Sequence, residues 1–201
     1  VLSVIGRLVL AFIVLGKLMQ LTGATQFFTD LALAAMGHRR GGPAKVAVVA
    51  SSIFGSINGT SVGNIMSTGI VTIPLMKKAG FKAHYAAAIE AVASNGGQFA
   101  PPVMGATAFL IAEFLQMNYI DVVIAAVVPA ALYYICLFLQ VDAIALRDGL
   151  HGLPKKDLPK ASKVLKKGWV FLLPLGFLLY LLFWRGFNPA VAALWSVGAL
   201  L

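Results

Sequence analysis

Charge is what this sequence has least of. Of its 201 residues, 11% are charged and 60% hydrophobic, where soluble domains carry about 25% charged residues. The shortfall runs the whole length, which excludes an ordinary soluble domain and makes lipid the expected solvent. Cysteine is nearly absent. Cys136 stands alone, so no internal disulfide can form, and its place in an apolar run predicts an inert packing role. No Ser-His-Asp, His-Glu-x-x-His or paired-aspartate pattern appears, so no enzyme is expected. His38, His84 and His151 are far apart and near basic loops, which argues against a metal centre. Acidic residues are few, 7 against 16 Lys and Arg, and the net charge is +9. On a soluble chain that balance would suggest nucleic acid. Here 13 of the 16 basic residues fall in three clusters between apolar segments: Arg39 to Lys45, Lys77 to Lys82, and Arg147 to Lys167. The positive-inside rule accounts for them, makes all three cytoplasmic, and leaves no nucleic-acid partner. There is no initiator Met and no signal pattern, and residues 190–201 are an apolar run. A piece of a longer protein is therefore expected.

What is present is a series of apolar stretches, some long enough to span and some interrupted. A helix needs roughly 20 apolar residues to cross a bilayer core. Residues 1–21 read as one crossing, interrupted by Arg7 and Lys17, and residues 24–36 as a short amphipathic helix at the membrane surface. Together, 1–37 form one unit. Residues 38–141 form a second, and 142–168 a basic cytoplasmic arm suited to anionic headgroups. The range 169–201 holds another span, anchored by Trp169 and Trp184, and the start of a further one. Within the second unit the lengths are unusual. Residues 44–76 must leave the cytoplasm and return, yet the arms 46–57 and 61–76 reach only about 18 and 24 Å as helices. Neither crosses a core of about 30 Å. The stretch therefore predicts a re-entrant hairpin with its tip at Gly55-Ser-Ile-Asn-Gly-Thr-Ser61, buried in protein or lining a wet cavity. Residues 83–117 must cross once, but Ser94-Asn-Gly-Gly-Gln-Phe-Ala-Pro-Pro102 cannot continue a helix. This predicts a broken transmembrane helix whose first half ends near Ser94 and whose second half starts at Pro101-Pro102. Residues 122–141 return to the cytoplasm, with a kink at Pro129.

The two interruptions lie at similar membrane depth and are rich in Gly, Asn, Ser and Thr. Each offers a helix C-terminus with free carbonyls, suited to a small cation, and an N-terminus with free N–H groups, suited to an anion. Paired interrupted helices near the midplane are the arrangement of an ion and substrate site in secondary transporters. A pure packing role for the glycines would not need Pro-Pro or so many side-chain oxygens. The expected sodium ligands are Ser56, Asn58, Gly59, Thr60, Ser94, Asn95, Gly96 and Gly97. Ser61, Asn64, Gln98, Pro101 and Pro102 are expected to face the substrate. Glu90, an intramembrane carboxylate, is a candidate ion or proton site; the alternative is a satisfied carboxylate near the interface. No cofactor beyond the coupling ion is expected.

The segments Gly55–Phe81 (GSINGTSVGNIMSTGIVTIPLMKKAGF) and Glu90–Ala106 (EAVASNGGQFAPPVMGA), preceded by Arg40-Gly-Gly-Pro-Ala-Lys45, resemble the signature of the large membrane subunit of TRAP (tripartite ATP-independent periplasmic) transporters, of the fused type linked to TAXI binding proteins. The likeness covers about residues 20 to 115 well and the rest in general pattern. It implies an all-α polytopic membrane protein of the ion-transporter-superfamily fold, with this chain holding the first inverted repeat. It also implies an elevator mechanism, sodium coupling, organic-anion import, a periplasmic substrate-binding protein as partner, and a bacterial inner-membrane location. Asn58 and Thr60 stand where many relatives have Ser, and Phe99-Ala100 where a more aliphatic pair is usual. These departures keep the oxygen ligands and bear on selectivity. The competing reading is a channel, since re-entrant loops also build selectivity filters, but no filter-like repeat is present.

Overall fold

The structure, a computed structural model, describes residues 2–154, 156 and 158–199. The side chains of residues 2–5 and 7–9 fall outside that description, and with them the expectation for Arg7. Among the described residues the fold is all-helical. The elements are α1 (Leu2–Thr22), α2 (Ala24–Met36), α3 (Gly42–Asn58), α4 (Ser61–Lys78), α5 (Ala83–Gly96), α6 (Ala106–Phe114), α7 (Tyr119–Arg147), α8 (Ala161–Gly168), a 3₁₀ turn (Trp169–Phe171), α9 (Leu172–Phe183) and α10 (Pro189–Gly198). Two helical stretches are long and apolar enough to cross a bilayer, Tyr119–Arg147 and Ala161–Trp184. Leu10–Thr22 and Ala24–Met36 pass the same criterion only as a pair, bent by 69°. The bend falls at Gly23, whose φ of 99° ends α1 in the left-handed region that glycine tolerates.

Local chemistry sets the ends of the hairpin. Gly41 at φ 61° and Pro43 in the first turn start α3, a use of Pro where its missing N–H costs nothing. Gly59 at φ 65° ends it, and its N–H caps the Gly55 carbonyl at 2.8 Å. Thr60 is extended, and α4 begins at once. The arms hold 17 and 18 residues, about 26 and 27 Å of helix, still short of a bilayer core.

The break differs from expectation in one respect. α5 runs to Gly96, but α6 starts at Ala106 and not at Pro101-Pro102. The intervening N–H groups are committed elsewhere. Val103 N donates to the Ser56 carbonyl at 3.2 Å, and Gly105 N to the Gln98 carbonyl at 2.6 Å. Met104 adopts φ 60°, so helix cannot begin before Gly105. α7 runs unbroken through Pro129 and beyond 141 to Arg147, which carries Asp142 on the helix. Cys136, expected to be packed, is exposed.

Two apolar cores flank the hairpin. One joins α1 and α2 to α9 and α10 and takes Phe54 and Ile57 from α3. The other joins α3, α5 and α7, with Met76 of α4. α2 buries Phe27, Phe28 and Ala32 and packs against α3 and α8. At the basic end, Lys45 is buried and pairs with Asp142, which also takes Arg40. The Lys45 ammonium lies 5.0 Å from the Phe138 ring. The outward face of α7 exposes Ile124, Val128, Leu132, Ile135 and Leu139, as a lipid-facing helix would.

Candidate functional site

The hairpin and the break touch backbone to backbone. A Cβ added at Gly97 would stand 2.6 Å from the Gly55 Cα, and one added at Gly55 would stand 3.0 Å from the Gly97 Cα. Close approach of this kind is open to glycine alone. One step further along, a Cβ at Gly59 would meet the Met104 carbonyl oxygen at 2.3 Å. The Val103-to-Ser56 bond ties the same two segments, and Tyr119 of α7 caps the loop by donating to the Val103 and Pro102 carbonyls.

Beside this crossing lies a cavity of about 300 Å³. Asn58, Gly59, Thr60 and Ser61 line it from the hairpin, Gln98 and Gly105 to Thr107 from the break, and Phe12 and Ile13 from α1. The first turns of α4 and of α6 both open into it, and neither carries a side-chain cap. Gln98 Nε2 donates to Ser61 Oγ at 2.7 Å, linking the two walls. The Gly59 carbonyl, at the rim, accepts no hydrogen bond among the described residues. An aromatic stack of Phe12, Phe109 and Tyr119, with centroids 5.4 and 4.5 Å apart, carries the wall from α1 through α6 to α7.

The residues expected as sodium ligands do not converge on one point. Asn58, Gly59 and Thr60 share the cavity, while Ser56 donates to the Ile53 carbonyl and lines a smaller recess with Pro101. Ser94 is fully buried and bonds Glu90 at 3.2 Å. Asn95 is exposed, with its Oδ1 3.4 Å from Gln98 Nε2. Gly96 packs under Tyr133 and Tyr134, and Gly97 makes the crossing. Among the residues expected to face substrate, Ser61 and Gln98 line the cavity. Asn64 does not: it is fully buried and donates to the Ser51 carbonyl at 2.8 Å, bracing the hairpin arms. Pro102 contributes its carbonyl to Tyr119.

Glu90 and Ser94, both expected from the sequence, belong to a second polar cluster whose other members, Ser51, Thr68 and Thr72, were not. Glu90 is fully buried, and its carboxylate is surrounded by Ser51, Thr68, Thr72 and Ser94. The signal was present as hydroxyls one helical turn apart in apolar helices, Thr68/Thr72 on α4 and Glu90/Ser94 on α5, which share a face at i, i+4. Phe12 and Gly16 of α1 were also missed. A Cβ on Gly16 would stand 3.0 Å from Asn58 Oδ1, but nothing in an apolar helix marks which glycine meets the tip.

Residues 2–201 match the family model described as "Tripartite ATP-independent periplasmic transporter, DctM component". The chain is 28% identical over 189 residues to the C4-dicarboxylate TRAP transporter large permease protein DctM of Pseudomonas aeruginosa, covering 92% of this chain and 44% of that protein. It is 24% identical over 182 residues to the sialic acid TRAP transporter large permease protein SiaM of Vibrio cholerae, covering 90% and 42%. Against the sialic acid TRAP transporter permease protein SiaT of Haemophilus influenzae it is 25% identical over 165 residues, covering 82% and 26%. The chain therefore spans less than half the length of these relatives.

Proposed function

The chain belongs to the DctM-component family of tripartite ATP-independent periplasmic transporters, and from that membership we propose that it forms part of a sodium-coupled permease importing small organic anions. It is a transporter subunit and not an enzyme. The carrying observation is the shared cavity of about 300 Å³ into which the uncapped N-termini of α4 and α6 both open. Each N-terminus contributes about 0.3–2 kcal/mol toward an anion. The pair contributes about 0.6–4 kcal/mol, a factor of roughly three to a thousand in affinity. Ser61, Gln98 and Thr107 add hydrogen-bonding groups, and Phe12 and Phe109 add an apolar wall. This is the donor set for a carboxylate on a compact organic body. Relatives whose names carry C4-dicarboxylate and sialic acid agree in substrate chemistry.

In this reading the coupling sodium sits at the Gly55–Gly97 crossing, near the free Gly59 carbonyl and the Asn58 and Thr60 oxygens. The hairpin and broken helix move as one body past α1, as an elevator, in the bacterial inner membrane. A periplasmic binding protein delivers the anion. The test uses the intact permease with its partner subunits in proteoliposomes. An inward sodium gradient should drive uptake of labelled succinate or sialic acid supplied with its binding protein, and a potassium gradient should not. Uptake indifferent to sodium, or equal for neutral isosteres, would overturn the reading.

A further inference from the structure

Away from the cavity, the Glu90 carboxylate is enclosed by both hairpin arms and by its own helix. Ser51 of α3 reaches Oε1 at 2.9 Å, Thr68 of α4 reaches Oε1 at 2.5 Å, Thr72 reaches Oε2 at 2.5 Å, and Ser94 of α5 reaches Oε1 at 3.2 Å. Glu90, Ser51, Thr68, Thr72 and Ser94 are all fully buried. No Lys, Arg or His pairs with Glu90 among the described residues; the ion pairs there are those of Asp142 and Asp148. Seven residues separate Glu90 from Gly97, so the cage lies about 10 Å below the crossing, counted along α5.

The hydrogen inventory is short. Each hydroxyl brings one hydrogen. Thr68 Oγ1 stands within bonding distance of Glu90, of Ser51 Oγ at 3.0 Å, and of the Asn64 carbonyl at 2.9 Å. Thr72 Oγ1 stands between Glu90 and the Thr68 carbonyl at 3.0 Å. There are more short oxygen–oxygen contacts than hydroxyl hydrogens to occupy them, and the one full charge is negative. One added positive charge would offset the carboxylate and, as a proton, supply one of the missing hydrogens.

We propose that Glu90, with Ser51, Thr68, Thr72 and Ser94, forms a binding site for one monovalent cation, a proton or sodium, separate from the ion at the crossing. Five side chains supply oxygen, which suits either hard cation. Separations of 2.5 Å are those of hydrogen-bonded oxygens, so a proton enters without movement, whereas sodium requires the hydroxyls to spread. On the transport reading above, this cation travels with the hairpin and adds one charge to the cycle.

The test uses the purified intact permease in wild-type form and as Glu90→Gln. Infrared difference spectroscopy on changing pH reads a carboxylic-acid carbonyl band; with a proton as occupant, the band is present and Glu90→Gln removes it. Thermal unfolding against sodium chloride, with choline chloride holding ionic strength, reads the other arm. With sodium as occupant, the linked number of ions falls by one in Glu90→Gln. Should that variant fail to fold, Thr72→Val keeps the carboxylate and removes one oxygen. It should weaken the occupant by about tenfold in the same readout. Wild type lacking the carboxylic-acid band, together with unchanged sodium dependence in the variants, would overturn the proposal. Failure of the transport reading would be separately visible, as absent gradient-driven uptake in wild type with both cage readouts intact.

Discussion

Gly97→Ala is a one-carbon test of the crossing. Gly97 has φ −60°, a conformation open to any residue, so the substitution introduces no backbone strain and its effect is steric. The new Cβ would lie 2.6 Å from the Gly55 carbonyl carbon and Cα, and 2.8 Å from the Gly55 oxygen. These are backbone atoms in the last turns of α3 and cannot rotate away. Restoring ordinary contact needs the hairpin and the break to separate by about 1 Å, an overpacking cost of about 1–3 kcal/mol. Separation also stretches the Val103-to-Ser56 bond from 3.2 Å and the Gln98-to-Ser61 bond from 2.7 Å, each worth about 0.5–1.5 kcal/mol. A total of about 2–6 kcal/mol against the tip should weaken sodium and anion binding by roughly 30-fold or more. Gly97→Val should abolish coupling. The assay is sodium-titrated binding and uptake by the intact permease, beside Gly176→Ala, where an added Cβ meets nothing within 4 Å. If Gly97→Ala keeps wild-type sodium dependence and anion affinity, the crossing does not build the site and the reasoning fails.

Other perturbations probe other parts of the chain. Asp142→Asn removes the counter-ion of Lys45, whose side chain is 7% exposed while that of Asp142 is 28% exposed. The partial exposure of Asp142 tempers the loss to about 1–3 kcal/mol of stability. Arg40→Ala, at a side chain 46% exposed, should cost under about 1 kcal/mol, and thermal unfolding in detergent separates the two. Tyr119→Phe removes the hydroxyl that donates to the Pro102 and Val103 carbonyls. It should cost about 0.5–1.5 kcal/mol, read as a lower midpoint of thermal unfolding in detergent. Single cysteines at Arg39 and Lys78, both exposed, should react with an impermeant maleimide from the cytoplasmic side, and one at exposed Asn118 from the opposite side. Opposite-face labelling of Arg39 and Lys78 would refute a hairpin that re-enters.

Much of this architecture is written locally. Gly59, Pro101 and Pro102 interrupt apolar runs, and a run with an interruption or too few residues is readable without any neighbour. The basic clusters likewise mark one side of the membrane by composition alone. What the sequence could not decide is which face of each apolar helix turns inward. Lipid and protein core are both apolar, so the periodicity that orients a soluble helix carries little contrast here. Ser94 and Asn95 are neighbours with similar chemistry, yet about 100° of helical rotation sends Ser94 to Glu90 and leaves Asn95 exposed. Asn64 turned into the hairpin for the same reason. The second half of the broken helix starts at Ala106 because Val103 gives its N–H to Ser56, a partner on another element that no local rule names. The Glu90 cage gathers residues 39, 22, 18 and 4 positions away. The ion pair of Lys45 with Asp142 spans 97. Composition and breakers determined which segments form and where they stop. Tertiary packing decided which oxygens meet, because buried polar groups must find partners and the partners sit on other helices.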